Sequence, residues 1–279
     1  MVYIKINKEL INIKFPRYIY YKNYLYIYGI NSIMDKLTNL NKFIIECFKY
    51  DNKMSLIKKI IINHKFELST LIWQIIEEKE FFIFLIEQKS IDKIKHSCKY
   101  YKYYIKKTDL ENFAISKIEK IELENHLISK LYYNYTLASK IEVDEERPEY
   151  YWGKYLFCFI KDNRSYIPNF DKIVNYKTDK GHLLHYIEKK EDIYFVIFSI
   201  RHKYENKNEY YYNIYSSKSK DLFKFYDTEK IDIENNLSNS DWYCYPEIFK
   251  KNDEYFILLN QDDFGKNKNT LIGKLINIL

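Results

Sequence analysis

The sequence predicts an all-β protein, a five-bladed β-propeller that forms a single domain over residues 1–279. Two repeated motifs and their spacing lead to this prediction. The first motif is a charged, turn-like stretch followed by a short aromatic and apolar run. Its five copies lie at residues 22–28, 80–85, 154–159, 192–198 and 254–259. A repeat of about 40–60 residues with a hairpin in each unit is typical of a propeller blade.

The spacing of the first motif sets the length of the repeated unit. Anchored on one aromatic residue each, the copies are 57, 74, 39 and 61 residues apart, with a mean of about 58. Five units of that length fill the chain. The anchors are Tyr24, Phe81, Tyr155, Tyr194 and Tyr255. We place the blades at residues 14–63, 66–124, 140–178, 181–234 and 241–279.

A second motif supports the same period. The segment Thr108–Phe113 matches Ser219–Phe225, and Asp109 lies 112 residues before Asp221, which is two units of about 56. An Asp-Leu turn followed by a buried aromatic residue fits a hairpin between the outer strands of a blade. Residues 115–131 fit a helical period as well, so their secondary structure stays open.

The bulk composition excludes several classes of protein. Aromatic residues make up 19% of the chain, but Lys, Ile, Asn and Tyr are all abundant, as A/T-rich genomes favour, so the Tyr content alone indicates no function. The net charge of +6 comes from interspersed charges of both signs. Because no run of five or six like charges occurs, we expect no nucleic-acid partner.

The cysteines and the N-terminus indicate a reduced, cytoplasmic location. The 4 cysteines are isolated and form no C-x-x-C pair, which argues against disulfides and cysteine-bound metal. Charged and polar residues interrupt the first residues, so no signal peptide is predicted. No window approaches about 18 uncharged apolar residues, and we expect no membrane span. The oligomeric state stays open.

Sequence motifs for cofactors are absent. The chain contains no G-x-G-x-x-G, no G-x-x-x-x-G-K-[ST] and no G-x-S-x-G, which removes support for nucleotide-binding and serine-hydrolase classes. Metal-ligand spacing such as H-x-x-x-H is also absent. We therefore expect no cofactor and no metal.

Residues 182–273 resemble the last two blades of the five-bladed propellers of glycoside hydrolase families 43 and 32. The resemblance rests on a strand followed by Ser199 and Arg201, then on the run Tyr212–Phe225, on Asp241–Glu247 with its Tyr-Pro pair, and on Asn260. It continues through Phe264-Gly265-Lys266. It implies a propeller whose central funnel takes a carbohydrate, and it covers about a third of the chain.

The chain departs from that family where the family carries catalytic acids. Glycosidases use a pair of carboxylates on either side of the scissile bond. The Asp-Pro start of the family's first blade is Phe15-Pro16-Arg17 here, and the acid position of the fourth blade is Gly181-His182-Leu183. The ordinary hydrolytic set is therefore not intact.

The starts of the innermost strands are expected to meet at the propeller axis. We predict Glu146 and Glu247 as the catalytic carboxylates. A mixture of cations, aromatic rings and histidines suits a sugar or a sugar phosphate, because rings stack on C–H surfaces and Arg binds carboxylate or phosphate. Predicted substrate-binding residues are Arg17, Trp73, Arg147, His182, Arg201, Tyr243 and Tyr245. Thr70 and His185 are further axial candidates.

Simpler interpretations accompany several of these residues. The charged run around Glu146 also fits a solvated turn before a strand. His182 and His185 are three apart, on opposite faces of a strand, so they are poor joint metal ligands and one fits a buried structural histidine. Arg201 also fits an exposed loop cation, and the tryptophans also fit packing between blades.

The preferred function is therefore a carbohydrate-acting, glycoside-hydrolase-like protein with divergent catalytic residues. One alternative is a non-catalytic glycan-binding or polysaccharide-biosynthesis module, in which Trp73, Tyr243 and Tyr245 are stacking platforms. Another is a protein-interaction scaffold. Two axial carboxylates roughly 5–10 Å apart would favour hydrolysis, whereas an axis filled by apolar side chains would favour the scaffold. A fold alone decides none of these, since a propeller hosts many functions.

Overall fold

The structure is a computed structural model that describes most of the chain. The described residues are 2–11, 13–35, 40–62, 64, 66, 69–89, 98–121, 126–132, 135–142, 154–161, 164–170, 181–203, 210–237, 243–262 and 268–277. Within these ranges the regular structure is β-strand apart from one 3₁₀ helix, Lys107–Asn112. The predicted all-β class is confirmed. None of the described segments is a helix long and apolar enough to cross a membrane.

The strands are numbered along the chain. The first nine are β1 (Tyr3–Ile11), β2 (Lys14–Tyr21), β3 (Tyr24–Asp35), β4 (Leu40–Tyr50), β5 (Leu56–Ile60), β6 (Ser69–Glu77), β7 (Phe81–Lys89), β8 (Cys98–Lys106) and β9 (Ile115–Ile121). The next six are β10 (His126–Tyr132), β11 (Tyr135–Glu142), β12 (Lys154–Lys161), β13 (Arg164–Tyr166), β14 (Gly181–Lys190) and β15 (Ile193–Lys203). The last six are β16 (Tyr210–Ser219), β17 (Phe225–Lys230), β18 (Asp232–Glu234), β19 (Tyr243–Lys251), β20 (Glu254–Asp262) and β21 (Lys268–Ile276).

The chain divides into two compact units, residues 12–124 and residues 1–11 with 125–279. The first contains two sheets, β2-β3-β4-β5 and β6-β7-β8-β9. Each is an antiparallel meander in which strands adjacent in sequence are adjacent in the sheet. Four-stranded meanders are the blades of propellers, and the predicted propeller fold class is confirmed. The single domain remains a prediction.

The second unit contains an eight-stranded and a five-stranded sheet. The larger one runs β10-β11-β12-β14-β15-β16-β17 with β13 paired to β12. It consists of two antiparallel meanders joined by one parallel pairing, Tyr155 with Gly181. The other runs β18-β1-β21-β20-β19. The described strands thus form four sheets rather than the predicted five separate blades, because that single pairing merges two meanders into one sheet.

The N-terminal strand completes the C-terminal sheet. Strand β1 pairs antiparallel with β21 and parallel with β18. Val2, Ile4 and Ile6 thereby join a buried cluster that includes Phe195 and Ile257. This pairing explains why the first residues belong to the same compact unit as the end of the chain.

The first motif marks strands that are buried on both faces. Leu25–Ile30 of β3, Phe82–Glu87 of β7 and Phe195–Arg201 of β15 are buried continuously. Such strands read as unbroken apolar runs rather than as alternating patterns. Four copies of the motif are the second strands of their meanders, β3, β7, β15 and β20.

The third copy is different from the other four. Residues 154–159 belong to β12, the third strand of its meander, whereas the second strand is β11, which starts at Tyr135. With Tyr135 as the anchor, the steps become 57, 54, 59 and 61 residues. The third meander accordingly begins at β10, well before residue 140. The open segment 115–131 contains strands β9 and β10 rather than a helix.

The second motif lies where the sequence predicted it, between the third and fourth strands of two meanders. Leu110 is buried within the 3₁₀ helix and Phe113 directly after it. Leu222 is likewise buried in the turn between β16 and β17, and Phe225 at the start of β17. The Asp221 carboxylate accepts hydrogen bonds from two backbone N–H groups, 2.8 and 2.9 Å away, and these lower its pKa.

Substitution of Gly273 tests the docking of β1. A Cβ atom there would lie 2.8 Å from the Lys5 carbonyl oxygen and 3.1 Å from Ile4 Cγ2 and Ile6 Cδ1. Since the nearest atom belongs to the backbone, Gly273→Ala should lower the free energy of unfolding by roughly 1–3 kcal/mol and speed hydrogen exchange in residues 3–11. The control is Lys274→Ala, which adds no atom near β1. Equal exchange in both variants would contradict the prediction.

The carboxylate of Glu111 gives the first unit an acid-sensitive contact. It accepts hydrogen bonds from Lys49 Nζ at 2.5 Å, from Lys58 Nζ, and from the Tyr26 hydroxyl at 3.2 Å. The two lysine hydrogen bonds lower the pKa of Glu111 from its ordinary value of 4.5 to about 2.

A group with a lowered pKa in the folded state contributes stability above its unfolded pKa and loses it on acidification. Unfolding free energy should therefore fall as the pH drops from about 4.5 to about 2, and Glu111→Gln should flatten that slope. The effect is small because the side chain is 37% exposed and water screens it. Denaturant titrations at several pH values measure it, with exposed Glu80→Gln as the control; a parallel slope in Glu111→Gln and the native chain would refute it.

Candidate functional site

A β-bulge interrupts the first strand of every described meander. In β6, β10 and β14 the extra residues are Trp73, Ser129 and His185, which follow one another at intervals of 56 residues. In β2 the pair Phe15-Pro16 lies opposite Gly29, and in β19 the pair Tyr245-Pro246 lies opposite Leu259. Bulges re-aim side chains and are over-represented next to active sites.

The bulges of β2 and β19 share a sequence and a geometry. Each contains an aromatic residue at positive φ, then proline, then a charged residue: Phe15 has φ 51° and Tyr245 has φ 53°. Positive φ is a costly conformation for a bulky residue, and such outliers persist where the surrounding structure imposes them. Arg17 and Glu247 are therefore equivalent positions of the repeat. They are 3% and 6% exposed.

In the first unit Arg17 holds two bulges together. Its Nε donates a 2.7 Å hydrogen bond to the Trp73 carbonyl oxygen, and its Nη1 donates another of 2.7 Å to the Pro16 carbonyl oxygen. The Trp73 indole N–H in turn donates to the carboxylate of Glu87, which is fully buried. The rings of Phe15 and Trp73 meet edge to face at 6.3 Å.

The second unit brings several predicted site residues to one end of two neighbouring sheets. Arg201 lies between Gly181 and Tyr212 across β14, β15 and β16. The Tyr212 ring contacts the Tyr245 ring of β19, with centroids 5.9 Å apart. The ends of β15 and β16 that carry Arg201 and Tyr212 therefore lie beside the bulge that precedes Glu247.

Further polar contacts support this end of the second unit. His185 Nε2 and Ser199 Oγ are 2.7 Å apart and both buried. The Tyr243 hydroxyl accepts a 2.8 Å hydrogen bond from the Asn235 amide. Buried polar side chains are costly unless hydrogen bonded, so the short His185–Ser199 contact satisfies two groups that would be costly to bury alone.

The predicted site residues fall into three groups. Glu146 and Arg147 lie outside the described residues, and His182 is described only through its backbone pairing with Ile200. Tyr245 is half-buried. The remaining predicted residues are at most 6% exposed: Arg17, Trp73, Arg201, Tyr243 and Glu247. The pairing of Glu146 with Glu247 stays a prediction, and so do the binding roles.

Sequence reasoning missed two buried polar residues beside the bulges. Glu87 was not singled out at all, and Ser199 entered only as part of a family pattern. The signal was present, since each is a polar residue directly after a long apolar run. Within the described part of the chain, no three His, Cys, Asp or Glu side chains come together to hold a metal ion.

Comparisons with known proteins place the fold. Neither a protein-family profile nor a curated protein matches the chain. Solved structures do. An exo-1,5-α-L-arabinanase from a bovine ruminal metagenomic library is 8% identical, with 94% of this chain and 93% of that chain covered at a TM-score of 0.57. The chain has the fold of this arabinanase.

Two other solved structures agree with that result. The α-L-arabinanase of Cellvibrio cellulosa in complex with arabinohexaose is 10% identical, covers 95% of this chain and 91% of its own, and gives a TM-score of 0.54. A glycoside hydrolase is 10% identical over 98% of this chain and 90% of its own, with a TM-score of 0.57. At sequence identities of 8–10%, the similarity establishes only the arrangement of the strands. The chemistry has to be argued from the residues of the site.

Replacement of Arg17 tests its role in holding the bulges. Arg17→Met keeps the length of the side chain and removes both hydrogen bonds to carbonyl oxygens, so the unfolding free energy should fall by roughly 2–3 kcal/mol. Arg17→Lys should recover part of the loss, because one ammonium cannot reproduce the guanidinium fork. Denaturant unfolding measures both. An unfolding free energy of Arg17→Met equal to that of the native chain would show that these hydrogen bonds do not hold the bulges.

Proposed function

We propose that the protein acts on a carbohydrate in the manner of a glycoside hydrolase, at the bulged ends of its first strands. The observation that carries the proposal is the bulge of β19, which buries Glu247 two residues after Tyr245. The Tyr245 ring contacts Tyr212, which pairs with Arg201 on the neighbouring strand. The fold shared with arabinanases, one of them solved with arabinohexaose, supports a saccharide as ligand.

The proposed chemistry needs two carboxyl groups. Glu247 is one, and we propose Glu146 as the other. In a hydrolytic cycle one carboxyl group protonates the leaving oxygen, while the other activates water or attacks the sugar carbon directly. Their separation decides the outcome: about 5–5.5 Å retains the configuration of the sugar, whereas roughly 6.5–9.5 Å inverts it.

The remaining residues would bind or position the substrate. We propose that Arg147, His182 and Arg201 donate hydrogen bonds to sugar hydroxyl or acidic groups, and that Tyr243 and Tyr245 provide aromatic surface. Arg17 and Trp73 were predicted as binding residues. Both are buried and hydrogen bonded to protein groups, so we propose that they position the bulges.

A specific observation favours a second candidate function, glycan binding without hydrolysis. Arg17 occupies the repeat position that holds Glu247 in β19, so a cation stands at one of the two proline bulges where the other has a carboxylate. A guanidinium binds sugar oxygens but does not transfer protons near neutral pH. The expected cytoplasmic location and the scaffold alternative stay predictions from the sequence.

Turnover of a panel of aryl glycosides distinguishes hydrolysis from binding. Glu247→Gln and Glu146→Gln should each reduce kcat by roughly 10²–10⁴-fold, the usual share of a general acid or base. Glu191→Gln, which changes an exposed turn carboxylate, is the control and should keep native turnover. Background-level turnover in all four proteins would reject hydrolysis, and sugar binding retained in them would support the second candidate.

A further inference from the structure

A cavity of about 330 Å³ opens in the second unit between the start of β16, the end of β17, β18 and the start of β19. Its origin lies in the path of the chain. Lys230 ends β17 opposite Tyr215, and two residues later Asp232 pairs with Tyr3 of β1. Because the chain leaves one sheet for the next at Ile231, the outer side of β16 is left open at Tyr212 and Asn213.

The cavity has an apolar floor and a polar rim. Ile214 and Ile231 are buried at its base and belong to the apolar cluster of this unit. Tyr212 and Tyr243 add aromatic surface. A volume of 330 Å³ lies at the lower end of the roughly 300–1,000 Å³ range of ligand pockets, which is room for one or two sugar rings.

Three polar side chains at the rim are available to bind a ligand. Asn213, Lys230 and Asp232 line the cavity, and within the part of the chain that the structure describes their side chains make no hydrogen bond or ion pair. Lys230 and Asp232 carry opposite charges and are both exposed. Donors and an acceptor are therefore available around one small space that also has aromatic walls.

This cavity adjoins the candidate site. Tyr212 lines the cavity, contacts the Tyr245 ring at 5.9 Å and pairs with Arg201 on the neighbouring strand. Tyr243 lines it from β19, four residues before Glu247. A ligand that occupies the cavity would share these two tyrosines with a sugar bound at the β19 bulge.

We propose that the cavity is a subsite for a neutral sugar ring of a longer oligosaccharide, an inference that rests on the proposed function. Sugar hydroxyls both donate and accept, so one ring can donate to Asp232 and accept from Lys230 and Asn213. Because Lys230 and Asp232 carry opposite charges on the same rim, neither an anionic nor a cationic ligand gains a net electrostatic advantage there. The tyrosines cover the apolar C–H surface of the ring.

The subsite is tested by binding titrations in the Glu247→Gln background, in which turnover is expected to be roughly 10²–10⁴-fold slower. Calorimetry with arabinohexaose, xylohexaose, cellohexaose, mannohexaose and trigalacturonic acid identifies the best neutral ligand. For that ligand, Asn213→Ala removes one hydrogen bond and Asp232→Asn replaces a charged acceptor by a weaker neutral one, so each should weaken binding roughly 3- to 10-fold. Glu229→Gln removes a nearby exposed carboxylate of β17 outside the cavity and is the matched control. Thermal unfolding confirms that each variant is folded.

The outcomes separate this subsite from the proposed function. Binding that weakens in Asp232→Asn and Asn213→Ala but not in Glu229→Gln supports the subsite, and the matching monosaccharide should then bind more weakly than the hexasaccharide. Hexasaccharide binding that is equal in all variants overturns the subsite and leaves the proposed function standing. Tight binding of trigalacturonic acid alone overturns the neutral assignment. Absence of binding by every sugar overturns both proposals.

Discussion

The candidate site depends on one constraint, the β-bulge in the first strand of each meander, where that strand has one residue more than its partner. A regular strand would send Arg17 and Glu247 to the face set by simple alternation. The extra residue shifts that alternation, and in β2 and β19 it does so with an aromatic residue at positive φ followed by proline. The buried charges are therefore products of backbone geometry, and their surroundings must compensate for burial.

Arginine is used sparingly and where its shape matters. The chain contains four arginines among 45 basic residues. Two of them, Arg17 and Arg201, are buried beside bulges, whereas the lysines that the structure describes are never fully buried. A planar guanidinium satisfies two carbonyl oxygens in fixed directions, as Arg17 does for Pro16 and Trp73. Because arginine rather than lysine is buried beside the bulges, we infer that the bulges are a specified part of the fold.

The fold was readable from the sequence because second strands buried on both faces produce long apolar runs. That signal fails in β11, whose run Tyr135-Thr-Leu-Ala-Ser has one aromatic residue, so the stronger run of β12 took its place. The merged sheet depends on the Tyr155–Gly181 pairing, which no local pattern reveals. For the candidate site, the strand starts led to the prediction of Tyr243, Tyr245 and Glu247, and the family resemblance supported the prediction of Arg201. It missed Glu87, because its hydrogen bond to Trp73 joins positions whose facing depends on the bulge.

The pairing of β1 with β21 has a consequence for biosynthesis. The ribosome makes residues 3–11 long before their neighbour on the sheet, residues 268–276. Val2, Ile4 and Ile6 therefore cannot be covered by this sheet until the residues between the two strands have been made. Contacts that distant in sequence form slowly, so the nascent protein carries an exposed apolar ribbon that a chaperone is suited to shield.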